Sequence, residues 1–401
     1  MKILQISPQI PYPPDSGGKI SIWGITKYLS QLGHQITLVS YYDESYDVEK
    51  YNALKNYCEP IFIKHNTRNN ILKAIVNLFS SVPYNISKYY CKSLEDFLID
   101  FLNKNDIDII HIDHLHLSWV VDVVKSIKNI PVVLREHNLE LKIMKRFYED
   151  TKNPFLKFYA GLQYKKFIHY EPLQALKFDK CIMISKEDEK YLKEMNSKVK
   201  IKTIPVGVEE NILHLKMNSV LPLTLFHIGS LKWIPNREGL MWFLKEIFPI
   251  IIKSYPQTKL YIYGIGAESI EVDPNLSDNV IKVGYVEDIW EEIKNKMIMI
   301  VPLIVGSGMR VKIIEMLAAG KLIVTTSVGK EGIEVSDGQQ IFIADDSQSF
   351  AQKIIDIFSG KVNSDQVIQN AKRFIEQKHL WNLVAKEFEN EYLELINQNK
   401  K

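Results

Sequence analysis

Arg310, Lys312 and Glu315 lie close together, just after Gly306, Ser307, Gly308 and Met309. They fall in an otherwise apolar stretch, Val301 to Ile333, that reads VPLIVGSGMRVKIIEMLAAGKLIVTTSVGKEGI. The pattern predicts a buried strand over 298–303, a glycine turn, and a helix carrying the three charges in its first turns. Gly320 ends that helix, a second strand covers 322–325, and a glycine loop with Gly329 and Gly332 follows. A βαβ unit of this kind places a helix N-terminus at the carboxyl edge of a parallel sheet, where phosphates bind. Cations are unfavourable at that end of a helix unless an anion joins them. Two of them can hold a diphosphate and neutralise the charge that grows on its leaving oxygen. The single carboxylate that follows suits a sugar hydroxyl, as an acidic residue does on ribose in dinucleotide folds. The stretch therefore reads as a nucleotide-sugar site. The plain alternatives are solvated charges at a helix start and a glutamate that caps local backbone.

Other residues offer chemistry of their own. Gly17 and Gly18, beside Asp15, Ser16 and Lys19, lie in a long loop after the first strand, PQIPYPPDSGGK. Glycines there let backbone N–H groups approach a phosphate or sugar, or simply make a turn. His137, in REHN, follows the strand at 131–134 and can serve a sugar hydroxyl, with Asn138 as the cap of the next helix. Asp113, His114 and His116 occupy the equivalent edge of the preceding strand and line an acceptor cleft or satisfy local hydrogen bonds. Their spacing matches no zinc pattern, so no metal is expected. Neither Gly264-Ile265-Gly266 nor Gly306-Ser307-Gly308 completes a dinucleotide fingerprint, which argues against a nicotinamide or flavin cofactor.

Elements that could position these groups recur along all 401 residues. That length implies two domains. Apolar strands at 2–7, 35–40, 108–113, 131–134, 181–185 and 201–205 alternate with helices at 20–32, 71–79, 94–102 and 139–177. The pattern restarts with strands at 223–228, 259–263 and 280–284 and helices at 239–254 and 289–296. Such alternation predicts two doubly wound parallel sheets. The expected domains are 1–205 and 206–380, with a terminal helix over 381–401 returning to the first. The composition, 46% hydrophobic and 24% charged, is that of a globular protein, and a net charge of +2 does not argue for nucleic acid. Cys58, Cys91 and Cys181 are scattered, as in a reducing cytoplasm. The N-terminal apolar stretch is too short for a signal peptide, and no run of about 18 apolar residues occurs. Segment 142–180 interleaves aromatics with lysines and reads either as a helical hairpin packed on the sheet or as a surface resting on anionic lipid.

Taken together, the sequence resembles the family 4 retaining glycosyltransferases of GT-B fold, over nearly its whole length. KILQISP with its double glycine, REHN, IPVGV at 204–208 and the 301–333 block fall in family order. HIGSLKWIPNREGLMWF, at 227–243, resembles the branch in which Trp-x-Pro-Asn follows the first strand of the second domain. The resemblance implies two Rossmann-like parallel-sheet domains facing a cleft, with the acceptor side first and the donor domain second. It implies retaining transfer of a hexose from a UDP- or GDP-sugar to a hydroxyl of a glycan or lipid-linked glycan. The nucleotide sugar is then a co-substrate, with no cofactor and no metal, in a cytoplasmic enzyme with a peripheral membrane setting.

The family pattern has two glutamates separated by seven residues. Glu315 matches the second, the ribose ligand, and Ser307 occupies the place of the first. Ser230 stands where an arginine is usual, and Asn236 near the usual lysine. Arg310 and Lys312 then take over the diphosphate, with Lys232 a second candidate. By the same resemblance His137 is the active-site histidine, and Gly17 and Gly18 contact the donor. Ser230, Gly308 and Met309 also line the donor site, and Tyr285 and Val286 flank the base. Asp113, His114 and Asn138 border the acceptor. Two other readings are a non-catalytic sugar-nucleotide-binding partner subunit and a GT-B-fold sugar-nucleotide epimerase.

Overall fold

The computed structural model describes residues 1–43, 49–216, 219–306 and 308–400. They form two compact units, Met1–Gly207 with Trp381–Lys401, and Val208–Leu380. No helix among the described residues is long and apolar enough to cross a membrane.

The first unit is built on seven strands: β1 (Lys2–Ser7), β2 (Gln35–Tyr42), β3 (Glu59–Lys64), β4 (Ile109–Asp113), β5 (Val132–Glu136), β6 (Lys180–Met183) and β7 (Ile201–Thr203). They pair in parallel in the order β3-β2-β1-β4-β5-β6-β7. The second unit contributes β8 (Thr224–Ile228), β9 (Lys259–Tyr263), β10 (Val280–Gly284), β11 (Ile298–Val301), β12 (Leu322–Thr325) and β13 (Phe342–Ile343). Their order, β10-β9-β8-β11-β12-β13, repeats the first, again all parallel. Chain order reverses between β1 and β4 and between β8 and β11. In doubly wound sheets the ligand crevice opens at the carboxyl ends of such a pair.

The strands read as unbroken apolar runs because both sheet faces are covered. In the second unit, Leu225, Leu260, Ile262, Ile298 and Ile300 point into one core. Their neighbours Phe226, Tyr263, Met299 and Val301 point into the other. The first sheet departs from this rule. One face is apolar (Leu4, Ile6, Ile110, Ile112, Val132, Leu134), whereas Gln5, His111, Asp113 and Arg135 are buried on alternate positions. The terminal helix Trp381–Asn399 meets that polar side: the Arg135 guanidinium lies 5.1 Å from the Phe388 ring centre, and the Tyr392 hydroxyl bonds His111 Nδ1. Trp381 also seats its indole where a Cβ on Gly24 would fall 2.1 Å from it.

Several sequence expectations shift. The helix expected at 239–254 is three segments, Ile234–Trp242, a π-helical turn Phe243–Ile247, and Phe248–Ser254. Pro249 lacks an N–H and cannot continue the bonding of a single helix. The 139–177 segment is two helices, Glu140–Asp150 and Pro154–Ala175, the second capped by Asn153. Arg310 is not inside the helix after β11. It occupies the N-cap position of Val311–Ala318, after Gly308 with φ 87°.

Candidate functional site

At the switch point of the second unit, three loops converge after β8, β9 and β11. Gly264 has φ 129°, and a Cβ there would fall 2.1 Å from the Gly229 carbonyl oxygen, so the loops after β8 and β9 touch through bare backbone. A Cβ on Gly229 would in turn lie 2.7 Å from Lys312 Nζ. Lys312 therefore reaches from the helix after β11 back across the end of β8, where its ammonium donates to the Ile228 carbonyl.

Arg310 folds over the glycine turn. Its Nη1 donates to the Gly308 carbonyl at 3.0 Å, and its guanidinium lies 4.9 Å from the ring centre of Trp233. Gly306, φ 127°, leaves the room this needs, because a Cβ there would come within 2.6 Å of Nη2. Two cations thus meet the N-terminus of one helix. Burial, and then Arg310, push Lys312 down to about 7. Burial pushes Glu315, one turn along that helix, up to about 7. His227, at the end of β8, is held neutral, its pKa pushed down to about 3 by burial and by Lys312. A site whose own charges are this costly is suited to a bound polyanion that repels neither cation.

Around this centre, Asn236 is buried and donates from Nδ2 to the Ser230 carbonyl at 3.0 Å. It shapes the loop where a lysine was expected by resemblance. Ser230 and Lys232 are exposed on that loop, Tyr285 is exposed after β10, and Val286 and Met309 pack partly on the core. Ser307 lies outside the described residues. Trp233 and His227 were not singled out in the sequence. Trp233 had a signal in Trp-x-Pro-Asn, while nothing in His227's neighbours marks it.

In the first unit, Asp113 ends β4 and is fully buried. Its oxygens lie 2.8 Å from Gln5 Nε2, 3.2 Å from His111 Nε2 and 3.3 Å from His137 Nε2. Burial would raise this carboxyl, but the two imidazoles hold it well below its ordinary range. The carboxylate thus accepts from His137 Nε2–H, leaving Nδ1 as that ring's acceptor. Burial keeps His137 neutral against the pull of Asp113. His114 stacks on it with ring centres 3.9 Å apart. His114 holds φ 68°, a strained backbone for a residue with a Cβ, and burial keeps it neutral too. Asp113, His114 and His137 thus form one cluster.

Asn138 does not cap the following helix. Leu139 holds the N-cap position, and the carboxylate of Glu171 accepts from the N–H groups of Glu140 and Leu141 at 2.9 and 2.8 Å. Gly17 begins the helix Gly17–Gln31, and Gly18 packs near Gln9.

Known proteins agree with this architecture. The model for glycosyl transferases group 1 matches residues 222–359, and that for glycosyltransferase family 4 matches residues 16–211. The chain belongs to the group 1/family 4 glycosyltransferases. It is 26% identical over 389 residues, 94% of this chain and 96% of the relative, to an uncharacterised 44.6 kDa protein in the cps region of Klebsiella pneumoniae. Its structure is similar to sucrose-phosphate synthase from Thermosynechococcus elongatus, with TM-score 0.73 and 16% identity, covering 99% of this chain and 100% of that one. It is also similar to Anabaena HepE in complex with UDP, with TM-score 0.68 and 13% identity, covering 97% and 99%. At such identities the structural likeness speaks for the GT-B fold. The protein is a glycosyltransferase of that fold.

Proposed function

We propose that this glycosyltransferase moves a hexose, with retention, from a UDP- or GDP-sugar to a hydroxyl of a glycan or lipid-linked glycan. The observation that carries the reading is the pair of cations, buried Arg310 and half-buried Lys312, over a glycine turn at the sheet's switch point. In this reading they hold the diphosphate, and Glu315 takes the ribose hydroxyls one helical turn away. Negative charge grows on the leaving β-phosphate oxygen as the glycosidic bond breaks, and fixed cations there lower the barrier. That oxygen then accepts the proton of the incoming hydroxyl, so no protein base and no metal is required.

His137 serves a sugar hydroxyl, positioned through Asp113, and Gly17 and Gly18 offer backbone N–H groups to the donor. Lys232, Ser230, Ser307, Gly308 and Met309 border the donor, Tyr285 and Val286 flank its base, and His114 and Asn138 border the acceptor. HepE, solved with UDP and with UDP-glucose, supports the donor class. The Klebsiella relative in a cps region supports a polysaccharide setting. The enzyme works in the cytoplasm, at the membrane face where lipid-linked acceptors reside.

The direct test screens UDP-, GDP- and dTDP-sugars for protection against thermal unfolding, because a ligand bound to the folded state raises its stability. One UDP- or GDP-sugar should protect saturably, and Arg310→Ala should cut turnover of that donor at least 100-fold, about 2.7 kcal/mol in the barrier. Near-normal turnover by the variant would remove Arg310 from the chemistry. Donor binding with neither transfer nor slow hydrolysis would instead favour a non-catalytic binding subunit.

A further inference from the structure

Gln5, Thr26, His111, Asp113 and Tyr392 are all buried, and they link into one polar chain that ends at His137. Asp113 Oδ1 lies 3.3 Å from His137 Nε2 and 3.2 Å from His111 Nε2, so one carboxylate oxygen faces two imidazoles. Its other oxygen accepts from Gln5 Nε2 at 2.8 Å. Thr26, on the helix Gly17–Gln31, donates to Gln5 Oε1 at 2.7 Å, which turns that amide toward Asp113. On the far side of His111, Nδ1 bonds the Tyr392 hydroxyl. Burial pushes the Tyr392 phenol well above its ordinary range, so it keeps its proton. A buried O–H needs an acceptor, and His111 Nδ1 is the atom it meets. His111 then carries its own proton on Nε2, the nitrogen that faces Asp113. The chain surfaces only at its end: His137 is 5% exposed, whereas the other members are at most 1% exposed.

Anchoring the terminal helix does not call for such a chain. That helix already buries Trp381, Val384, Phe388 and Leu395, and buried polar groups carry a desolvation cost that apolar packing avoids. What the chain does affect is the ring on which it ends. A carboxylate shared among several donors is a weak base, whereas one left to a single imidazole draws a proton onto that ring. A protonated His137 would carry N–H at both nitrogens and could not accept from a hydroxyl. Facing His137 are Asp113, His111 and His114, on and just after β4, and Arg135 on β5. Burial pushes the His137 ring down, Asp113 pulls it up, and Arg135 pushes it down again. We propose that His111 and Tyr392 are positioning residues that share the Asp113 carboxylate with His137 and so keep that ring uncharged, with Nδ1 bare for a sugar hydroxyl. This role rests on His137 serving a sugar hydroxyl, but the charge of the ring is measurable without any sugar.

The test is NMR of the histidine ring nitrogens in the full chain, free of substrate, across a pH titration. The His137 signals are assigned by their loss in His137→Gln. In the parent the ring should be neutral near neutral pH, with its proton on Nε2 and Nδ1 bare. His111→Leu with Tyr392→Phe removes both partners of one buried bond, which folds tolerate better than removal of either. In that double variant His137 should bind a proton at least about tenfold more tightly. Tyr392→Phe alone, which deletes one oxygen, should move the titration the same way by less. His111→Gln keeps a donor toward Asp113 and should titrate like the parent. With a donor sugar that the parent turns over, the double variant should lose turnover near neutral pH and regain it, relative to the parent, as pH rises. A parent ring charged near neutral pH overturns the proposal. So does a double variant whose thermal midpoint falls while the His137 titration stays where it was, which would leave the chain a purely structural role. A shifted titration in a chain that transfers no sugar would instead remove the transfer reading and leave the link from Tyr392 to His137 standing.

Discussion

Lys312 carries the sharpest consequence of the site's chemistry. Its pKa, pushed to about 7, means that the free site loses a positive charge as pH rises through neutrality. A diphosphate binds the protonated form, so binding takes up a proton, and affinity falls above that pH by up to about tenfold per unit. Glu315 titrates in the same range with the opposite sign, since its carboxylate becomes a better acceptor for ribose hydroxyls as pH rises. A net fall in UDP affinity between pH 7.5 and 9 therefore belongs to Lys312. Titration calorimetry should show that fall in the parent protein and a flatter profile in Lys312→Arg, which stays charged. A flat profile in the parent would mean that the ammonium does not meet the phosphates. The types and order of Arg310, Lys312 and Glu315 were legible in the sequence because glycines and apolar runs frame them. The crowding around them was not, because it depends on Gly229 and Gly264 letting the loops after β8 and β9 close on each other beside Lys312.

At the scale of elements, the terminal helix Trp381–Asn399 both completes the first unit and supports its histidine cluster. Tyr392 bonds His111, which lies 3.2 Å from Asp113, the carboxylate beside His137. Trp381 fills the space left by Gly24 and Gly207. Trp381→Ala should cost about 3–5 kcal/mol, as large core truncations do, read as a lowered urea midpoint. A loss below about 1 kcal/mol would show that the helix is held by its other contacts. Strands and helices were readable here from period and punctuation, since each apolar run is long and glycines end the helices. Caps were harder. Asn138 had the right type and place, but Glu171 comes from a helix some thirty residues on to bond the same N–H groups. The helix Ile71–Asn77 shows the opposite limit: its apolar spacing reads as a core face, and only the burial of Asn77 reveals that the pattern points outward.

For the whole molecule, the doubled strand order follows from alternation along the chain, because parallel strands with helical crossovers leave few topologies. Fold and enzyme class were therefore within reach of the sequence, whereas donor, acceptor and linkage depend on side chains that only a bound substrate would display. The proposed activity stands or falls with the seat of the diphosphate in the second unit. The measurement that tests it most directly is a crystal structure of the protein with UDP or GDP. Phosphate oxygens should lie within hydrogen-bond distance of both Arg310 and Lys312, with the ribose hydroxyls on Glu315. A nucleotide bound elsewhere, with both cations turned to solvent, would contradict it.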